Sequence, residues 1–439
     1  MCLVAVAQPS SDTAPVSAGG FSVDITQPLS LQQCIELAWE RHPDVAVAKA
    51  EAQAARANAI QQRSSLYPQL VLEWDASHSQ SLDRPVNVGG GVVQSVAERR
   101  TQRDADVALS YTLYESGRKS RIDRAKTSAV ASEYGIADAR RLLAYEVSST
   151  YYAILAAHEY AAVTMSSVAN AERHRDMVQA RVEAGVAPKS DLLPVSVEVS
   201  EARLEAVRAD TDLAVTYAAF KALLGLPADA QVTLSDVFAE GSYEGKLDAL
   251  LETAERNRPD VAQQRLSVRA AELGAATAEA EAGVQLSAGV SGDYGRHTGN
   301  TGEAWRVSIG ATYPLFDAGA SQAEVTAARA SAQSAQWRLA ALMLSVQREV
   351  ETAHLRLLQA AETIQAAHVT RQDAENSLAA AEARYAEGLA IIVEVTDAQL
   401  ALLRAQVADV QAQYDYADAR AALSKAVGKQ ITTAAGDEQ

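Results

Sequence analysis

At 439 residues the chain has the length of two or three ordinary globular domains, but four Phe, four Trp, abundant Ala and a remainder rich in Gln, Glu, Arg and Leu belong to long helices instead. A net charge of −17 leaves no basic stripe to neutralise phosphates, which excludes a nucleic-acid partner and suits a solvated surface or an aqueous passage that favours cations. No run of about eighteen apolar residues occurs, so no transmembrane helix is expected.

The N-terminus opens on Leu3-Val4-Ala5-Val6-Ala7 before Gln8-Pro9. This is the pattern of the last part of a secretory signal cleaved after Ala7, without the basic start and most of the apolar core. A mis-assigned or trimmed start is the expected cause, and residues 8 to 20 read as a disordered tail in either case. Cys2 lacks a lipoprotein box, so a lipid on it is left open. Cys34 falls on the apolar side of a short helix, as a small core residue would. Neither thiol has a metal-ligand companion nearby, so no zinc site or disulfide framework is readable.

Residues 29 to 66 read as a short helix, a break at Pro43 and a second helix. The period then drops to two. A strand over 67–80 puts Leu70, Leu72, Trp74 and Ala76 on one face and Val71, Glu73, Asp75 and Ser77 on the other. A Gly-rich, charged stretch from 84 to 103, with Gly89-Gly90-Gly91, reads as a loop. Alternation resumes over 104–114, with Ala105, Val107, Leu109, Tyr111 and Leu113 against Asp106, Ala108, Ser110 and Thr112. From 115 to 181 there is no proline and little glycine. At about 1.5 Å per residue, roughly 70 residues make a helical rod of about 100 Å. The rod ends at Gly185 and a second helix runs back to Gly225. Residues 226 to 246, with Pro227, Gly241 and Gly245, link this half (29–225) to a second half (247–428).

The second half repeats the plan. Strands are expected over 284–294 and 304–314, with a polar loop at 295 to 302. A rod follows from 318 to 387, with a seam of Leu339, Leu342, Val346, Val350, Ala353, Leu357, Ala360, Ile364 and Ala367 stepping by threes and fours, as in coiled coils. It turns at Gly388 and returns to Gly428, leaving 429–439 as a tail. The sequence itself is duplicated. Trp39-Glu40-Arg41-His42-Pro43-Asp44-Val45 returns at an offset of 216 as Glu255-Arg256-Asn257-Arg258-Pro259-Asp260-Val261. Leu113-Tyr114-Glu115-Ser116-Gly117 returns at 202 as Leu315-Phe316-Asp317-Ala318-Gly319, and Ala180-Arg181 with Gly185 return at 203 as Ala383-Arg384 with Gly388. Such a chain is expected to build a pseudo-symmetric object.

Four strands of about ten residues, apolar on one side and with Trp and Tyr near their ends, suit a membrane-spanning barrel. Alone they would leave unpaired backbone edges in hydrocarbon at several kcal/mol per group, and four strands cannot close around a lumen. Three copies would supply twelve. All four strands enter and leave from the helical side, so the helices are expected to continue the same cylinder.

The paired Pro-Asp-Val helix starts, Tyr313-Pro314-Leu315-Phe316-Asp317-Ala318-Gly319, and Gly388-Leu389-Ala390 followed by Glu394-Val395 and Asp397-Ala398-Gln399 together resemble the TolC-like outer-membrane efflux proteins, over 29 to 428. The resemblance implies a mixed α and β membrane protein: a homotrimer with a twelve-stranded barrel in the Gram-negative outer membrane and a long helical tunnel in the periplasm. It implies a passive exit duct for a tripartite efflux or type I secretion system. The expected partners are a periplasmic adaptor, an inner-membrane pump or ABC transporter, and outer-membrane lipid. Glu394 and Asp397 match the family's paired acids at the tunnel's narrowest part, six carboxylates in a trimer. Tyr385 and Asp191 match residues that hold the mouth shut. The family's basic lock residue falls at Ala390, which cannot form a salt link, so Lys189 is the nearby candidate. Gly185-Val186 and Gly388-Leu389 resemble adaptor-docking tips, although glycine at a helix end is also plain turn chemistry. Pro68 and Pro314 resemble the prolines that join barrel to tunnel.

An enzyme is not expected. Seven histidines are scattered without an H-E-x-x-H pattern, no phosphate-binding glycine loop precedes a helix, and no Ser or Cys comes with a readable base. No cofactor or metal is implied. The alternative from another class is a soluble periplasmic coiled-coil adaptor or scaffold, which would share the rods but need no alternating strands.

Overall fold

The computed structural model describes residues 28–80, 86–88, 91–93, 99–235, 238, 245–281, 283–297 and 300–429. The expected signal remnant, Cys2, Gly241 and the tail from 430 lie outside them. Two compact units are present and are taken in turn. One is built from the described residues of Met1–Ala50, Tyr134–Ala262 and Ala341–Gln439, the other from Glu51–Glu133 and Gln263–Ala340.

The first unit is helical. Helix α1 (Leu31–Arg41) starts at Ser30, whose hydroxyl accepts from the Gln33 amide while the Gln33 side chain accepts from the Ser30 N–H. It buries Cys34, Ile35, Leu37 and Ala38 and stops at His42, whose extended backbone the following proline enforces. Pro43 opens α2 (Pro43–Ser64), and far along the chain Arg258 and Pro259 repeat the arrangement between α5 (Leu247–Asn257) and α6 (Pro259–Glu281). The long helices are α3 (Arg118–Glu183), α4 (Leu192–Leu223), α7 (Ala320–Ala386) and α8 (Ile392–Val427). A first core gathers α1 with Leu143, Val147, Tyr151 and Ile154 of α3 and with Phe220 and Leu224. The link after α4 joins it through Leu226 and Val232, and a parallel bridge ties Leu29 to Leu234. A second core holds Val346, Val350, Ala353, Leu357 and Ala360 of the expected α7 seam against Ala254, Val261, Tyr416 and Leu423.

A charge network fastens this second core. Arg258 is only 3% exposed. Its Nε and Nη2 donate to Asp260 at 3.0 and 2.6 Å, and its Nη1 to Glu349 Oε2 at 2.7 Å and to the Ala426 carbonyl at 3.1 Å. Arg141 donates to Asp138 and to the Lys425 carbonyl at 2.7 Å, and lies 3.6 Å from Asp260. Two of the last carbonyls of α8, those of Lys425 and Ala426, are thus met by two guanidinium groups. Gly428 turns the chain at φ 74°, where a Cβ would meet Arg258 backbone at 3.2 Å.

The second unit carries the sheet. Its strands are β1 (Gln69–Gln80), β4 (Arg99–Glu115), β5 (Gln285–His297) and β6 (Asn300–Thr312), antiparallel in the order β1-β4-β5-β6. The stretch expected as a loop contains a small hairpin, β2 (Val86–Val88) with β3 (Gly91–Val93), and β4 begins at Arg99 rather than near 104. The β-branched pairs on either side of the glycines favour pairing over an open loop. The polar loop expected at 295 to 302 is likewise mostly strand, since β5 runs to His297 and β6 starts at Asn300.

Register joins one apolar face across four strands. Leu70, Leu72 and Trp74 pair with Leu109, Val107 and Ala105; these pair with Val290, Gly292 and Tyr294; Val290 and Gly292 then pair with Val307 and Trp305. The face is bare: Leu72 is 73% exposed, Ile309 74% and Trp305 80%. Leu113 was expected on it, but a bulge between Thr112 and Tyr114 makes Leu113 the extra residue and sets Tyr114 opposite Leu286. On the other face Glu73 pairs with Asp106 and Asp75 with Asp104, like charges directly opposite each other. Pro68 stands immediately before β1, and Pro314 two residues after β6. Their twins differ: Val284 precedes β5, but Thr112 lies inside β4. Asp317 starts α7 by accepting from the amides of Gly319 and Ser321 at 3.0 and 2.8 Å, whereas its twin Glu115 pairs with Arg121 at 2.6 Å. Among the described residues no helix is long and apolar enough to cross a membrane.

Burial alone would raise the Asp260 carboxyl, but the hydrogen bond and charge of Arg258, with Arg141, hold it below its ordinary 3.8. Its stabilising contribution is therefore complete above that value and is lost as pH falls further through the lowered one. Arg258→Ala leaves two carboxylates without their partner and should cost about 3–5 kcal/mol. Thermal melting followed by circular dichroism should show a lower Tm at neutral pH and a smaller drop in Tm on acidification below about pH 4 than in the native protein.

Candidate functional site

The ends of the two helical hairpins lie in the first unit. Both use the same turn. The Gly185 amide donates to the Val182 carbonyl at 3.0 Å and the Val186 amide to Arg181 at 3.0 Å; Gly388 donates to Tyr385 at 3.0 Å and Leu389 to Arg384 at 2.8 Å. The glycines stand at φ 74° and 77°, a conformation that costs other residues about 1 kcal/mol or more, and open space surrounds both. Val186 and Leu389 project 66% and 72% exposed. Beneath the turns Val178, Val195, Leu378, Ala381, Val395, Ala398 and Leu402 bring α3, α4, α7 and α8 into one core.

That core fixes the acid pair. Val395 and Ala398 are buried, so Glu394 and Asp397, each one residue before, fall together on the exposed stripe of α8. Glu394 is not free. Arg384 Nη2 lies 3.5 Å from its Oε2, and its Oε1 accepts a long 3.5 Å bond from the Ile391 amide.

Tyr385 is buried at 4% exposure. The Arg181 guanidinium lies 4.6 Å from its ring centre, and Arg181 Nη1 donates to the Tyr385 carbonyl at 2.9 Å. Burial raises the Tyr385 hydroxyl above its ordinary value; the Arg181 charge opposes this and the half-buried Asp191 adds to it. The phenol is thus neutral at physiological pH. His174, 2% exposed, sets its ring edge-on to Tyr385 at 6.5 Å and its Nδ1 3.3 Å from Glu198. Lys189 opens a short 3-10 turn ending at Asp191 and makes no ion pair among the described residues. The Asp191 charge reaches Tyr385, but the basic group in contact with Tyr385 is Arg181, not Lys189. In the sequence Arg181 and Arg384 stand out only as matched landmarks of the two halves. A signal of their roles lies in the acids that follow each tip, Asp191 and Glu394, at the same 203-residue offset. Among the described residues no cluster of three or more His, Cys, Asp or Glu is placed to hold a metal ion.

A sheet with one apolar face, joined in one chain to two glycine-tipped helical hairpins, defines a membrane duct protein. The family model of the outer membrane efflux proteins matches residues 34–226 and 250–429, and the chain belongs to that family. It is 26% identical over 408 residues to the pyoverdine export outer membrane protein OpmQ of Pseudomonas putida, covering 91% of this chain and 85% of that one. With nodulation protein T of Rhizobium leguminosarum it shares 25% identity over 75% of this chain and 69% of that one. Among solved structures it is similar to the outer membrane protein VceC of Vibrio cholerae, at TM-score 0.76 and 19% identity over 92% of this chain and 97% of that one. It is also similar to the open state of the Neisseria gonorrhoeae MtrE channel, at TM-score 0.74 and 20% identity over 92% and 89%. Family membership puts the chain in the outer membrane as an efflux exit duct; the alternative of a soluble adaptor has no support.

Arg181 contributes a ring contact and a charged hydrogen bond, together about 2 kcal/mol of local stability. Arg181→Ala should speed amide hydrogen exchange over the last turn of α7 by about 30-fold, read by mass spectrometry. Tyr385→Phe keeps the ring and the carbonyl and should exchange at the native rate.

Proposed function

We propose that three copies close a twelve-stranded barrel and a continuous helical tunnel, which conducts cargo passively after a periplasmic adaptor has joined it to an inner-membrane pump or ABC transporter. One observation carries this reading. The four-stranded sheet has a bare apolar face and two outer strands, β1 and β6, each paired on one side only among the described residues. Such edges are costly in hydrocarbon, and pairing β6 of one copy with β1 of the next removes them. Exposed Leu315 and Phe316, at the end of β6, are further surface for a neighbouring copy to cover. The acid-rich second face then lines the bore and favours cations. In this reading residues 29–225 and 247–428 are the two repeats, 226–246 the segment that links them, and Pro68 and Pro314 redirect the chain between helix and strand.

Glu394 and Asp397 form the constriction, and the exposed Val186 and Leu389 beside Gly185 and Gly388 form the adaptor-docking tips. Tyr385, clasped by Arg181, and Asp191 hold the mouth closed; Lys189 is a solvated tip residue. The absence of a basic residue at Ala390 is offset within one copy by Arg384, which reaches Glu394.

The purified native protein should run in mild detergent at three times the 46.5 kDa chain mass, and membrane fractionation should return it with the outer membrane. A monomer at all concentrations refutes the barrel. In single-channel recordings, replacing both Glu394 and Asp397 by alanine should lower cation preference and relieve block by divalent cations. Because Arg384 already offsets Glu394, Asp397→Ala alone should do more than Glu394→Ala. Unchanged selectivity and block in the double variant would remove the ring from the reading.

A further inference from the structure

A cavity of about 740 Å³ lies in the first unit between α1, α3 and the end of α8. Its lining contrasts with the rest of the molecule. In a chain of net charge −17 it presents Arg140, Arg141, Arg420, Lys425 and Lys429, and no Asp or Glu. Among the described residues, Arg141 is the one lining cation with carboxylates in ion-pair reach, Asp138 and Asp260. The others meet neutral groups. Lys425 Nζ sits 4.0 Å over the Tyr145 ring, Arg140 lies 5.7 Å from the Trp39 ring centre, and Arg420 donates to the Tyr152 hydroxyl at 3.4 Å. Lys429 makes no ion pair among the described residues.

Glu349 and Asp418 act on Lys425 through space without a direct ion pair among the described residues, and the gathered cations repel one another. Burial lowers the Lys425 ammonium below its ordinary value, and the nearby Arg141 and Arg258 charges add to this, while Glu349 and Asp418 oppose it. At the end of α8 the Lys425 and Ala426 carbonyls already accept from Arg141 and Arg258. A lining with five cations and no carboxylate suits an anion. The walls say what kind. Trp39, Tyr145, Tyr152 and Ile35 supply flat apolar surface between the charges, and the volume is that of a small-molecule site.

We propose that this cavity binds a small organic polyanion, a molecule with a flat apolar body and two or more carboxylate or other oxyanion groups. The body rests on the Trp39 and Tyr145 side of the cavity, and the anionic groups are met by Lys425, Arg420, Arg140 and Lys429. The ligand ties α1 and α3 to the end of α8 and stabilises that junction. The inference does not depend on the acid pair at the tips or on the closed mouth.

The probe is benzene-1,3,5-tricarboxylate, titrated calorimetrically into the intact oligomer in detergent at low salt, with inorganic phosphate in a second arm. Saturable binding of the tricarboxylate is expected with Kd below about 1 mM, and at least about tenfold weaker binding of phosphate. Lys425→Gln and Arg420→Gln should each weaken the tricarboxylate about tenfold, which is about 1.4 kcal/mol, while Lys425→Arg keeps it within about threefold. Lys429→Gln, at an exposed position, provides a variant with the core untouched and should weaken it about threefold. Equal affinity for phosphate reduces the site to a plain anion patch and overturns the proposal. So does the absence of saturable binding up to about 10 mM, the result expected if a neighbouring copy fills the cavity, or native affinity in both Lys425→Gln and Lys429→Gln.

Discussion

A strand edge facing hydrocarbon has no water to take its N–H and C=O groups, and that requirement organises this chain. It explains why the two hairpins do not stay apart. Strand β4 pairs with β5 over thirteen positions, although the whole first helical hairpin lies between them in sequence. Joining the hairpins halves the number of edges from four to two. It also aligns the apolar residues of all four strands into a single face, since a slip by one residue would turn every side chain of a strand to the other side. The pairing is distant in sequence and so slow to form, which suits a sheet completed only after the helices are in place.

Duplication supplies the second constraint, and the interest lies where the copies have diverged. His42 and Asp44 lie 3.8 Å apart with the aspartate exposed; their twins Arg258 and Asp260 are 2.6 Å apart and both mostly buried. Histidine suffices where a single partner and water are available. The second copy must serve Asp260, Glu349 and a helix-end carbonyl together, which takes the fixed donors and permanent charge of arginine. At the tips Tyr385 replaces the twin of Val182, and only then does Arg181 gain an aromatic ring to rest on. Its own twin, Arg384, meets no ring among the described residues and reaches a carboxylate instead. Matched arginine positions thus serve as a clasp in one half and as a charge partner in the other.

Much of this was legible from the residues. Period-two alternation marked the four strands, because an exposed sheet with chemically different faces must alternate. Glycines marked both hairpin ends, because the turn demands positive φ. Other parts were hidden for physical reasons. Residues 84 to 103 mix glycine and charge, so the β2–β3 hairpin and the early start of β4 had no periodic signature to show. The bulge at Leu113 leaves the sequence alternation looking intact while changing which residue faces which. Arg384 to Glu394, Arg181 to the Tyr385 carbonyl and Arg141 to the Lys425 carbonyl join residues 10, 204 and 284 positions apart, which periodicity cannot report.

Helix α8 carries the acid pair at its start and the cation-lined cavity at its end, an order that the helix dipole favours by itself. Glu394 therefore has reasons to exist that owe nothing to a duct: it is an acid in a first turn, near the Ile391 amide, with Arg384 alongside. Lys425, in the last turn, is similarly favoured. Asp397 has no such account. It lies past the first turn, exposed, with no ion pair among the described residues, and aspartate is a weaker helix former than glutamate or alanine. Of the two acids on that stripe, Glu394 is therefore the one the helix itself favours.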